Sequence, residues 1–162
     1  MTNESLSATA TIKSPAETVF AIIADPATHA AIDGTGWVVE PLDGNNQLRT
    51  EGQVFWMTMY HENAPDGTYH TANRVVVFDP PHSIAWETGQ DPAWNGELEF
   101  GGWVWRYDLR PVRQSETEVR LSYDWSAVPA FRREYIQFPP FDRDHLHNSL
   151  NHLAELVPLT AD

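Results

Sequence analysis

Hydrophobic and polar positions alternate most strictly between Trp103 and Trp125, where one pattern is written twice. The first run places Trp103, Trp105, Tyr107 and Leu109 on one side, with Val104, Arg106, Asp108 and Arg110 on the other. The second run places Val119, Leu121, Tyr123 and Trp125 on one side, with Glu118, Arg120, Ser122 and Asp124 on the other. Side chains on a strand alternate faces with period two, so each run predicts a half-buried strand. The polar stretch from Val112 to Glu116 predicts the turn of an antiparallel hairpin. A turn centred on Gln114 pairs Trp103 with Trp125, Trp105 with Tyr123, Tyr107 with Leu121 and Leu109 with Val119. A one-residue slip would turn half of these large side chains into water, so the pattern fixes the register. The resulting wall, with phenol and indole donors at its rim, either fills a core or lines a pocket.

The same reading extends along the chain. Residues 6–13 alternate, with Leu6, Ala8, Ala10 and Ile12 facing one way, and predict a first strand whose small alanines admit a close neighbour. Ser14-Pro15-Ala16-Glu17 has the form of a capping box with proline at the first helical position. Val19, Phe20 and Ile23 give that helix an apolar face. Asp25-Pro26 ends it and caps a second short helix that stops near Gly34.

Strands are then predicted at Gln53–His61, Tyr69–Phe78 and Ser83–Thr88, punctuated by turns at Asp43-Gly44-Asn45, between Ala64 and Gly67, and at Asp79-Pro80-Pro81. In Val54 to Tyr60, which includes Trp56, both parities are apolar. Such a strand is expected to be covered on both sides, by helices or by a partner, a homodimer included. Residues 89–102, with Gly96 and Gly101-Gly102, read as a loop with an irregular strand entry.

Beyond Pro139-Pro140, a helix is predicted from Asp142 to just before Pro158, about 24 Å long. Leu146, Leu150, Leu153 and Val157 form its apolar stripe. The expected architecture is α+β, in one domain spanning residues 1–162: a curved antiparallel sheet of about seven strands around a long C-terminal helix, with two short helices after the first strand.

Composition narrows the function classes. The 23 acidic against 10 basic residues give a formal charge of -13, which disfavours nucleic acid and anionic lipid as partners. No cysteine is present, so disulfides and thiol catalysis are excluded. Residues 1–7 show no secretory pattern and no run is long enough to span a membrane, so a cytoplasmic location is expected.

Several of these residues resemble the START-like (SRPBCC) superfamily, in particular its polyketide cyclase/dehydrase branch. The resemblance is carried by Ser14 to Phe20, by Asp25-Pro26 with Ile32-Asp33-Gly34, and by Phe78-Asp79-Pro80-Pro81 with Ile84-Ala85-Trp86. It continues in Tyr123-Asp124-Trp125-Ser126 and in Leu150 to Leu156. These are fold signatures. They imply a helix-grip fold with a deep apolar cavity between sheet and terminal helix, holding a lipid, polyketide or aromatic molecule.

The candidate ligand-binding residues are accordingly Trp56, Tyr60, Trp86, Trp103, Trp105, Tyr107, Tyr123 and Trp125 from the sheet, and Leu146, Leu150 and Leu153 from the helix. An enzyme of cyclase, aromatase or dehydratase type would need an acid and a base among Tyr60, His61, His70, Tyr107 and Tyr123, with the segment from Val128 to Gln137 excluding water. Arg106, Asp108 and Asp124 face away from the wall by parity, and Arg74 has no assigned face.

Seven histidines suggest a metal. But His145 and His152 sit about 10 Å apart along their helix, too far for one ion, and fall off the apolar stripe toward water; His147 lies at its edge. No metal or cofactor is predicted, and neither a phosphate loop nor a nucleophile elbow is present. Three classes of function remain: a carrier of a small hydrophobic molecule, a cyclase-like enzyme, and a protein-interaction module. An exposed apolar patch at Phe55–Met59 would mark the last.

Overall fold

The computed structural model describes residues 4–33, 37–41, 47–60, 67–90, 99–134, 138–141 and 144–157. Seven strands form one antiparallel sheet: β1 (Ser5–Ile12), β2 (Val38–Pro41), β3 (Val54–Tyr60), β4 (Thr68–Asp79), β5 (Ser83–Gln90), β6 (Glu99–Arg113) and β7 (Glu116–Asp124). Their order across the sheet is β1-β7-β6-β5-β4-β3-β2. Between β1 and β2 lie α1 (Ala16–Ile23), a 3-10 turn (Pro26–Thr28) and α2 (His29–Ile32). After β7 come the single turn α3 (Ala130–Arg133) and the terminal helix α4 (His145–Leu156). This is the curled α+β sheet that the sequence patterns predicted and the helix-grip arrangement that the family resemblance implied. No helix among the described residues is long and apolar enough to cross a membrane.

The aromatic hairpin has the expected register. Trp105 faces Tyr123, Tyr107 faces Leu121 and Leu109 faces Val119. The turn is the two residues Gln114 and Ser115, with a register shift between Pro111 and Arg113. On the other side of β7, Leu6, Ala8 and Ala10 of β1 pair with Tyr123, Leu121 and Val119. The small alanines serve the purpose read into them, since β1 is the strand on which α4 packs most closely.

Several boundaries differ from expectation. The capping box does not form: Pro15 is the N-cap of α1, without a side-chain cap bond. Ser14 is instead buried, and its carbonyl accepts from the Thr117 hydroxyl at 2.8 Å. Asp25 does cap the next turn, accepting from Ala27 N at 3.0 Å. α4 begins at His145 rather than Asp142, which lies outside the described residues, so it is about 18 Å long. Residues 89–90 and 99–102 belong to strands rather than to a loop. The predicted turn at residues 43–45 falls outside the described residues.

The two faces of β3 are now distinct. Phe55 and Met57 are buried inward, whereas Val54 and Tyr60 on the other parity are exposed. The expected cover on both sides is therefore absent from the described residues, and Trp56 is half-buried on the outer face.

The two ends of the curled sheet are filled differently. At the end of the β4–β5 and β6–β7 turns, α1 sits on β6 and β7. There Ile12, Phe20, Ile84, Leu109, Val119 and Leu121 make a closed core. At the opposite end, where β3 meets β4 and β5 meets β6, inward-facing side chains stay partly accessible.

Candidate functional site: a ring-lined end of the sheet with a buried Asp-His pair

The accessible end of the concave face is built from rings. Met59, Trp103, Trp105, Phe138 and Phe141 are only partly buried although they pack on the core, and Tyr69, opposite Met59 in the register, is likewise half-buried. Trp105 stacks on Phe141 with centroids 5.6 Å apart and lies 4.5 Å from Tyr123. Trp103 stands 5.9 Å from Phe138.

The position of Trp103 is set by a bulge in β6, opposite the register shift between Glu87 and Gly89. Its indole covers Gly101 so closely that a Cβ there would overlap the six-membered ring. Gly102 adopts φ +94°, and a Cβ on it would stand 2.6 Å from the Ala127 carbonyl oxygen. Both glycines are thus required by the bulge that presents Trp103.

Deeper in, the lining becomes mixed. Trp86 is buried in ring contact with Phe55, Tyr107 and His29. Asn73 and Thr88, both buried, bond to each other across β4 and β5 at 2.7 Å. His29 stacks on Trp86 at 5.0 Å, and its Nε2 lies 2.8 Å from the Ile23 carbonyl. A carbonyl only accepts, so Nε2 carries the proton and Nδ1 is left as an acceptor. Burial pushes the His29 pKa down, with the Ile23 bond and Asp25 opposing.

Asp33 closes the far side. It follows α2, and its Oδ2 accepts from the backbone N–H groups of Trp37 at 2.9 Å and Val38 at 3.1 Å. Its Oδ1 stands 3.8 Å from Nε2 of His145, the first residue of α4. Both side chains are more than nine-tenths buried, and His145 Nδ1 has no hydrogen-bond partner among the described residues. The imidazole is walled by Phe141 at 4.6 Å and Trp105 at 5.8 Å. Burial pushes the His145 pKa down, Asp33 opposes this, and His152 adds to it. Burial, and then the Asp33 carboxylate, raise the pKa of Tyr107 and Tyr69. Burial alone raises that of Tyr123. The carboxylate therefore lies where α2, α4 and the inner faces of β4 and β6 meet.

The structure brings together Trp86, Trp103, Trp105, Tyr107, Tyr123 and Trp125 on the concave side, beneath Leu146, Leu150 and Leu153. It separates Trp56 and Tyr60 from them, on the outer parity of β3. Of the acid-base candidates, Tyr107 and Tyr123 face inward. His70, which pairs with Thr58, shares the outer parity with Tyr60, and His61 lies outside the described residues. Arg74 also points outward, paired with Glu87 at 2.8 Å and lying over the Phe100 ring. His145 was expected in water and is instead buried. The stripe of leucines is only part of the buried surface of α4, because His145, Ser149 and the half-buried His152 form an adjacent face turned toward α2.

Residues 4–155 match the family described as polyketide cyclase/dehydrase and lipid transport. The chain belongs to that family. Among solved structures, this polyketide cyclase/dehydrase family member is similar to protein Ms6760 of Mycobacterium smegmatis. The TM-score is 0.65 at 18% identity, over 94% of this chain and 90% of that one. It is similar to protein CV1439 of Chromobacterium violaceum, with TM-score 0.64 at 18% identity, over 94% and 96% of the two chains. A third likeness is a point mutant of norcoclaurine synthase from Thalictrum flavum, solved with a transition-state analogue. Here the TM-score is 0.61 at 12% identity, over 94% and 92%. At these identities the structures bear on the fold alone. No curated protein sequence matches.

Proposed function

We propose that the protein binds and carries a small, apolar, ring-containing molecule between the concave face of its sheet and α4. The observation that carries this reading is the half-buried state of inward-facing Met59, Tyr69, Trp103, Trp105, Phe138 and Phe141 at one end of the sheet, while the other end is closed. Large apolar side chains on an inner face are normally driven to full burial. Here they form a concave apolar wall with a few polar groups at its base, the usual composition of a small-molecule site. The family description, with its cyclases, dehydrases and lipid carriers, supports the same class of guest.

The test is a fluorescence titration with N-phenyl-1-naphthylamine, a neutral probe suited to a chain of charge -13. Trp105→Ala removes a ring that touches Tyr123, Phe141 and His145, and should weaken binding about tenfold. Trp56→Ala, on the outer face, should leave it unchanged. Equal effects of the two substitutions, or no binding by the unmodified protein, would remove the reading.

A further inference from the structure

His145, beside Asp33, has the features of an incomplete hydrogen-bonding group. Asp33 is held by two backbone donors, so the oxygen it turns toward His145 is set by the backbone and not by chance rotation. That oxygen stands 3.8 Å from Nε2, near enough for its charge to orient the imidazole. Nδ1 is sealed from water with no partner among the described residues. Native interiors rarely leave such an atom unmet, and those that do often reserve it for a ligand or a reaction.

Resting on the pocket reading above, we propose that His145, oriented by Asp33, is the polar anchor of the site, its Nδ1 accepting a hydrogen bond from a hydroxyl group carried on a ring of the guest. The tautomer decides the polarity. A bare Nε2 lone pair facing a carboxylate oxygen would be repelled, so Nε2 bears the proton and points it at Asp33. Nδ1 is then a lone-pair acceptor, which selects a donor such as a phenolic or enolic O–H and rejects a carbonyl. The depressed pKa of His145 keeps the ring in this neutral state near pH 7. Phe141 is the neighbour that a guest displaces: it is half-buried, stands 4.6 Å from the imidazole and stacks on Trp105. The guest ring takes its place along the Trp105 indole. The Tyr107 phenol, held protonated by burial and by Asp33, keeps the surroundings of the carboxylate free of a second negative charge.

The test compares 2-naphthol with 2-methylnaphthalene, two probes of nearly one shape, by displacement of N-phenyl-1-naphthylamine from the full chain at pH 7.5. A purely apolar pocket favours the methyl compound, because it leaves water more readily. The anchor reverses that order. We expect the unmodified protein to bind 2-naphthol more tightly, and His145→Leu to lose about tenfold in affinity for 2-naphthol with little change for 2-methylnaphthalene. The same preference in both proteins would overturn the anchor while leaving the pocket standing. If His145→Leu does not fold, tighter binding of 2-methylnaphthalene by the unmodified protein overturns it equally. Failure of the fluorophore itself to bind removes the pocket, and the anchor with it.

Discussion

His29 and His145 are both kept neutral by desolvation, and this gives the fold a defined response to acid. Their pKa values in the folded state lie below the ordinary 6.5, so the unfolded chain takes up protons first as the pH falls. Stability from these groups is therefore fully present above pH 6.5 and declines below it, toward the folded-state values. Asp25 beside His29, and Asp33 and His152 around His145, set how far down that window reaches. We expect the urea midpoint to fall between pH 7 and pH 5.5, with a shallower fall in His29→Gln. A midpoint independent of pH over that range would contradict the burial of both rings. At this scale the sequence was only partly legible. Tyr107 and Tyr123 could be placed by strand parity, whereas Asp33 was visible only as part of a fold motif. Nothing in its neighbours along the chain announces that it will meet a histidine more than a hundred residues away.

Elements were legible where one face alone is buried. The β6–β7 register followed from the alternation itself, because a slip would expose half the large residues. β3 was ambiguous because both parities carry large apolar side chains, and only pairing with β4 shows Phe55 and Met57 inward. α4 misled for a related reason. A single apolar stripe suggests one buried face, but the helix is gripped on two adjacent faces, by β1 and by α2. The glycines of β6 looked like loop residues because their need arises from a bulge and from the indole lying over them. That need is testable. Gly101→Ala should expel the Trp103 ring, cost about 1–3 kcal/mol of stability and weaken N-phenyl-1-naphthylamine binding several-fold. Unchanged thermal stability together with unchanged tryptophan emission would show that the indole does not occupy this place.

For the whole molecule, net charge and the proposed pocket make separate demands on a guest. The net charge of -13 gives the molecule a negative field that repels anions and is screened by salt. The anionic fluorophore 1-anilinonaphthalene-8-sulfonate should therefore bind more tightly as sodium chloride rises from 10 to about 300 mM. The neutral N-phenyl-1-naphthylamine should respond much less. Parallel responses would mean that the field does not reach the site.

By itself the sequence determined most of the strands, the aromatic hairpin and its register, the small residues of β1 that admit a close neighbour, and the acidic balance of charge. Each of these follows from local periodicity or from composition. The tertiary structure alone decided which end of the sheet is closed, which face of β3 turns inward, and that Asp33 meets His145. Those outcomes depend on how far the sheet curls and where two helices land on it, and such distances are set by packing between segments remote in the chain.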